Sequence, residues 1–402
     1  MTTRPSYYMN TLSSRKRDYL QEAGLLILAF FFFMYTAGSV YGQEDAYSII
    51  FDGAIVIALA MLLRGAIPLW QYKGYYKWQG LFIAFLAFTL LYTPSQHPDI
   101  TQMFKLVFKT TTVAIICKDF NGVRKLLLYF AFVGLGVFFV LYRTGSLFVV
   151  GRLGNDLVGN ANTLGLIYSI YFVGAFTSIS LATNKYLKIV LIVSSILDLL
   201  VLILTGGRKF LLFASVFVYV SFLLTTKQKM SKIIPLTILF AILVVLLAYL
   251  IMTVDVFYDA IGYRFDGMSS GQAEGVDTQS DLMKKGIDLF LKKPLFGWGI
   301  QGYQAISGTG FYSHSNYVEL LCNFGLFGTI LYYSQLISCW FIMFKNQKYA
   351  GEEIKIYLPL LSAIFVIDIF SISFNQTAFI PLFVMLISGF CYRLSHNRIL
   401  TQ

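Results

Sequence analysis

Apolar residues run along this chain in long blocks separated by short polar stretches. Leu126 to Tyr142, Tyr186 to Leu204 and Ile233 to Met252 are three such blocks, and each approaches or exceeds the roughly 18 residues that cross the hydrocarbon of a bilayer. Lipid offers no partners to backbone N–H and C=O groups, so the blocks are expected to be helices. The pattern predicts about a dozen spans, at 22–41, 47–67, 78–94, 102–117, 124–143, 161–182, 186–204, 209–226, 232–252, 317–344, 354–373 and 377–393. The fold class is therefore all-α, a polytopic transmembrane helix bundle. It divides into spans one to nine (1–252), a large loop (253–316), and spans ten to twelve with a tail (317–402).

The basic residues test this count. With the N-terminus cytoplasmic, the cytoplasmic side receives Arg4, Arg15, Lys16 and Arg17, then Arg64, Lys73 and Lys77, then Lys118, Arg124 and Lys125. It goes on to receive Lys185 and Lys188, Lys227, Lys229 and Lys232, Lys345, Lys348 and Lys355, and Arg393 and Arg398. The short outer loops hold Arg143, Arg152, Arg208 and Lys209. Such alternation is the signature of basic residues retained on the cytoplasmic face, and it predicts that both termini are cytoplasmic. Composition agrees: 57% of residues are hydrophobic and 13% charged, against roughly 25% charged in soluble domains. The net charge of +11 reads as a topology signal and a contact with anionic lipid heads. Nucleic-acid binding is not expected, because no soluble basic domain is visible. Residues 1–20 are polar, and the first apolar run has no small-residue cleavage site, so no signal peptide is read there. Cys117, Cys322, Cys339 and Cys391 lie in or beside spans without a CxxC pair, and the three histidines form no metal-spacing cluster. Neither a metal nor a cofactor is expected.

The stretch 253–316 lies outside by the alternation, and a loop of this length is uncommon unless it has a function. Asp266 to Ser280 is rich in Gly, Ser, Asp and Gln and reads as loop. Helical periodicity over 281–293 puts Leu282, Met283, Ile287, Phe290 and Leu291 on one face, an amphipathic helix lying on the membrane or against the bundle. Pro294 stops it, a Gly-rich turn follows, and Tyr312-Ser-His-Ser-Asn-Tyr-Val-Glu319 runs into the tenth span. Taken alone, His314 would be an ordinary hydrogen-bonded histidine. Its place at a membrane entry among Ser313, Ser315 and Asn316 makes it the leading candidate for chemistry, one ring nitrogen oriented and the other facing a substrate. Arg208 and Lys209 occupy a tight outer turn, where end-of-helix snorkelling is the simplest reading. Yet basic residues are scarce on this face, and the Gly206-Gly207 pair lets a backbone approach a ligand. Arg152 precedes an Asn/Gly-rich outer turn, and Arg264 opens the long loop. Lys105 and Lys109 stand one helical turn apart and share a face, and charges at that depth are expected to face a bundle interior or cavity. Cations converging on the outer side near an imidazole suit a diphosphate, whose oxygens guanidinium groups clamp bidentately.

Four motifs occur in order. They are Gly159-Asn-Ala-Asn-Thr-Leu-Gly165, Thr205-Gly-Gly-Arg-Lys-Phe210, Pro294-Leu-Phe-Gly-Trp-Gly299, and Ser313-His-Ser-Asn-Tyr-Val-Glu-Leu-Leu321 followed by Gly325-Leu-Phe-Gly328. Together they resemble the O-antigen polymerase and ligase family (Wzy-type) over roughly residues 150–345. The resemblance implies a membrane glycosyltransferase of the all-helical GT-C-like class, working at the outer face of the bacterial cytoplasmic membrane. Its substrate would be an undecaprenyl-diphosphate-linked oligosaccharide, with flippase and chain-length regulator proteins as partners and no metal or nucleotide sugar. Polymerases of this family extend capsular, O-antigen or exopolysaccharide chains, whereas ligases move a finished glycan to a terminal acceptor.

Carried over by motif, Arg208 matches the family arginine after the seventh span and His314 the histidine ending the long loop. Arg264 matches an Arg-Phe near the loop start. The further family arginine, three residues before Leu282, is replaced here by Gln279. His314 and Arg264 are thus the expected catalytic residues, and Arg208, Lys209 and Arg152 the expected diphosphate ligands. A major-facilitator transporter would instead carry its long loop centrally and on the cytoplasmic side. A flippase would favour charges along a central path. Polymerization leads ligation among the expectations.

Overall fold

The computed structural model describes residues 18–38, 46–65, 69–148, 153–154, 161–225, 230–262, 276–374 and 380–400. Among them the chain is helical and contains no strand. The first nine helices are α1 (Tyr19–Ala37), α2 (Ala46–Leu63), α3 (Lys73–Thr89), α4 (Thr101–Ile116), α5 (Phe120–Arg143), α6 (Ala161–Leu181), α7 (Lys185–Leu204), α8 (Arg208–Thr225) and α9 (Met230–Thr253). After them come α10 (Val276–Lys292), α11 (Gly302–Ser307), α12 (Asn316–Lys345), α13 (Ile354–Ile367) and α14 (Ile380–Leu400). Among the described residues each expected span position contains a helix, but residues 90–94 and 368–373, expected within spans, lie beyond the helix ends. By length and apolarity, six are long enough to cross a membrane, within α1, α5, α6, α7, α9 and α12, and three more are apolar but shorter. The chain is a multi-pass membrane protein, all-helical in the regular structure of its described residues.

Helix starts at one end of the bundle are fixed by polar caps. Asp119 Oδ1 accepts from Gly122 N at 2.7 Å and Asn184 Oδ1 from Tyr186 N at 2.8 Å, satisfying donors that the first helical turn leaves free. At the same end Lys118 pairs with Asp18 and Lys125 with Glu22, tying α1 to the start of α5. Deeper in the bundle, α5 packs on α6, and α6 on α7. A side chain at Gly134 would meet Asp198 and Tyr171, so this glycine sets the close approach of α5 to α6 and α7.

The amphipathic helix begins at Val276, earlier than expected, so residues 276–280 are helix rather than loop. Residues 266–275 lie outside the described residues. Its buried face is also turned from the expected one: Leu282, Gly286 and Leu289 are buried, while Ile287 and Leu291 are 44% and 65% exposed. Gly286 explains the turn. Without a Cβ it lets α10 close onto Val318 and Tyr303, a contact that a reading by hydrophobic side chains cannot see.

Candidate active site

The Thr205–Phe210 turn is built around an aromatic ring. Gly206 takes φ +65°, and Thr205 Oγ1 donates to Leu202 O at 2.8 Å, closing α7. Phe210, 1% exposed, lies where side chains at Gly165 and Gly207 would otherwise stand. Two of the sequence motifs therefore meet on one phenyl ring, which pins the start of α6 to the start of α8. The space beside Gly207 is filled by protein, and the turn does not expose its backbone there to a ligand as the sequence suggested. What the turn presents is its cations. Arg208 is the first residue of α8 and half-buried. Lys209 Nζ lies 5.2 Å from the Phe210 ring centroid and reaches Phe370 O at 3.4 Å and Ser371 Oγ at 3.3 Å.

The same 368–374 turn holds the histidine loop. Asn316 N donates to Asp368 O at 2.8 Å, and Asn316 Nδ2 donates to Asp368 Oδ2 at 3.1 Å and to Tyr333 OH at 2.9 Å. Tyr333 OH donates to Asp368 Oδ2 at 2.9 Å, and Asn316 Oδ1 accepts from Ser373 N and Phe374 N at 2.9 and 3.0 Å. On the other shoulder Ser313 N donates to Glu319 Oε2 at 2.9 Å. Glu319 Oε1 accepts from Asn323 Nδ2 at 3.2 Å, and Asn323 Oδ1 from Tyr303 N at 2.7 Å. Ser313, Ser315, Asn316, Glu319 and Asp368 are all buried. His314 between them is half-buried, in the left-handed region at φ +61°. Few non-glycine residues adopt that conformation, and it persists where surrounding structure over-determines it. Most of the Ser-His-Ser-Asn motif is thus a fastening, and it presents a single imidazole. Burial lowers the His314 pKa below the ordinary 6.5, and the Lys209 charge lowers it further. The ring is held neutral and able to accept a proton.

Below this loop α12 is broken. Gly325 stands at φ +63°, ψ −166° inside the helix, and the Pro294–Gly299 segment fills the break. Trp298 N donates to Cys322 O at 3.0 Å and Gly299 N to Asn323 O at 2.6 Å, while Leu326 N and Phe327 N donate to Pro294 O and Leu295 O at 2.8 and 3.1 Å. Backbone groups freed by the break are satisfied by the Pro294–Gly299 segment, as irregular backbone shielded from water requires. A side chain on Gly297 or Gly325 would run into the opposite backbone. The turn after α3 braces the splice: Tyr92 OH donates to Phe296 O at 2.9 Å, and Thr93 Oγ1 to Ile300 O at 2.6 Å.

The structure therefore brings His314 and Lys209 together, with Arg208 beside Lys209. Arg152 and Arg264 lie outside the described residues. Gln279 is exposed on the first turns of α10. Sequence reasoning read Asn316 as a neighbour orienting the imidazole, and missed Asp368, Tyr333 and Glu319 as the residues that hold the loop with it. The available signal was a carboxylate, Asp368, inside an otherwise apolar block. Among the described residues no cluster of His, Cys, Asp and Glu is placed to hold a metal ion.

Fold and site define a polytopic helical membrane protein that gathers an imidazole and cations where the Pro294–Gly299 segment is spliced into a broken helix. Residues 193–333, from mid-α7 to mid-α12, match the family model described as O-antigen ligase. The match supports the O-antigen polymerase and ligase family for this chain. No curated protein matches the chain.

Proposed function

We propose that this chain is a polysaccharide polymerase. In this reading it joins polyprenyl-diphosphate-linked repeat units at the outer face of the cytoplasmic membrane, through about twelve spans of a GT-C-like bundle with both termini cytoplasmic. The observation that carries the reading is His314 set at φ +61° between buried, hydrogen-bonded neighbours, with burial and the Lys209 charge both lowering its pKa. A sugar hydroxyl of the acceptor attacks the anomeric carbon of the donor, and its proton passes to His314. The bond from that carbon to the diphosphate breaks, and the lipid diphosphate leaves with the bonding pair. Arg208 and Lys209, with Arg264 and Arg152 as further phosphate ligands, stabilise the charge that develops on it. A flippase supplying lipid-linked units and a chain-length regulator fit this activity as partners.

His314→Ala is expected to reduce polymer about 10²–10⁴-fold, the usual contribution of general-base catalysis, at unchanged membrane abundance. His314→Gln keeps hydrogen bonding without basicity and should be similarly impaired. Near-normal polymer from the Gln variant would reduce His314 to an orienting residue. Polymerase and ligase are separated by the lipid-linked glycans that accumulate in a deletion strain: single repeat units support polymerization, and full-length lipid-linked chains mean a ligase.

A further inference from the structure

Lys105 and Lys109 belong to neither the His314 loop nor the Arg208 turn. Helix α4 has sixteen residues, shorter than the roughly 20 of a full crossing. The two lysines stand roughly 6 and 12 Å along the axis from its Thr101 end. The helix buries Met103, Leu106, Thr110 and Val113 against the bundle. Its opposite stripe is exposed: Phe104 at 56%, Lys105, and Phe108 at 54%. Lys109 sits at the border of that stripe, half-buried, with Nζ 5.7 Å from the ring centroid of Phe51 on the neighbouring α2. Among the described residues neither lysine forms an ion pair. Asp99 feels the Lys105 charge but spends its Oδ1 on Thr101, at 2.7 Å to N and 2.5 Å to Oγ1. Asp52, beside Phe51 on α2, is exposed and pairs with neither.

Two ammoniums one helical turn apart, flanked by outward aromatic rings, combine two preferences. The rings suit the boundary between headgroups and acyl chains. The charges are tolerable on a lipid-facing stripe when an anion meets them at that depth. A soluble anion would leave Phe104 and Phe108 uncovered, whereas a lipid answers both. We propose that Lys105 and Lys109, with Phe104 and Phe108, form a docking site for an anionic phospholipid whose phosphate bridges the two ammoniums.

The test uses the full chain, purified in detergent and titrated with phosphatidylglycerol, with bound lipid counted by native mass spectrometry. Wild type is expected to retain phosphatidylglycerol about tenfold more strongly than Lys105→Gln/Lys109→Gln, since each lysine near an anionic surface contributes a several-fold factor. Lys105→Arg/Lys109→Arg should retain it like wild type. Equal retention by the Gln double variant overturns the site. Equal retention of phosphatidylcholine by wild type would show an apolar groove indifferent to charge, and also overturns it. Displacement of phosphatidylglycerol by millimolar inorganic phosphate would mean a soluble-anion site and overturns the choice of lipid. Should the double variant fail to fold, each single Gln variant is expected to lose retention several-fold, and no loss in either overturns the proposal.

Discussion

His314 is fixed by what stands on either side of it. Two buried serines and an asparagine fully spent on Asp368, Tyr333 and the 373–374 backbone fix the chain on both sides of the imidazole. Its pKa lies below 6.5, first through burial and then through Lys209. The base form is the deprotonated one, so transfer should rise as pH climbs through that depressed pKa and then level off. Lys209→Met removes one of the two lowering causes. The acid limb of the pH–rate profile should therefore move to higher pH, measured in membranes at matched abundance; a limb that stays in place would uncouple Lys209 from the imidazole. Arg208→Lys keeps charge but loses the planar fork, and is expected to impair transfer nearly as much as Arg208→Ala if a diphosphate is clamped. Near-wild-type activity of the Lys variant would reduce Arg208 to a snorkelling residue. His314, Arg208 and Lys209 stood out as candidates in the sequence because polar residues at the mouths of apolar blocks are conspicuous. Asp368 was not, because it sits inside a block whose hydropathy hides one carboxylate. Its role depends on Asn316 and Tyr333, 52 and 35 residues away.

At the scale of elements, glycines decided what the periodicity left open. Gly286 turned α10 by one face, and Gly325 cut a helix that hydropathy reads as continuous. The two uses of glycine can be told apart by substitution. At Gly308, φ is +66° but a Cβ would meet nothing within 4 Å, so Gly308→Ala should cost only the left-handed penalty of roughly 1–2 kcal/mol. At Gly325 the same penalty is joined by overlap with the Leu295 and Phe296 backbone. Gly325→Ala should therefore lower the melting temperature far more, or abolish the monodisperse peak in size-exclusion chromatography. Equal effects at the two positions would mean that the splice with Pro294–Gly299 is loose. Phe210→Ala should cost about 3–5 kcal/mol as a large aromatic core deletion, because its ring fills the space left by Gly165 and Gly207.

At the scale of the whole molecule, the order of helices was legible from apolar blocks and lysine placement, while their ability to cross was less so. Several blocks form helices of 14–18 residues carrying Lys, Gln or Pro, which a count of hydrophobic stretches treats like full crossings. Orientation is open to a direct test. With cysteine placed at Ser270, a membrane-impermeant thiol reagent should label intact cells or spheroplasts, and with cysteine placed at Lys348 it should not. The reverse pattern would invert the topology and put the His314 loop on the wrong side for outer-face chemistry. The spliced break in α12 also bears on engineering. Pro294–Gly299 and Cys322–Phe327 exchange backbone hydrogen bonds in both directions, so neither half can be traded alone. A chimera that grafts the outer segment of a different family member onto this scaffold would have to import both strips as one cassette, and a donor loop inserted without its matching Cys322–Phe327 counterpart should fail to seat however well its sugar preference suits the host.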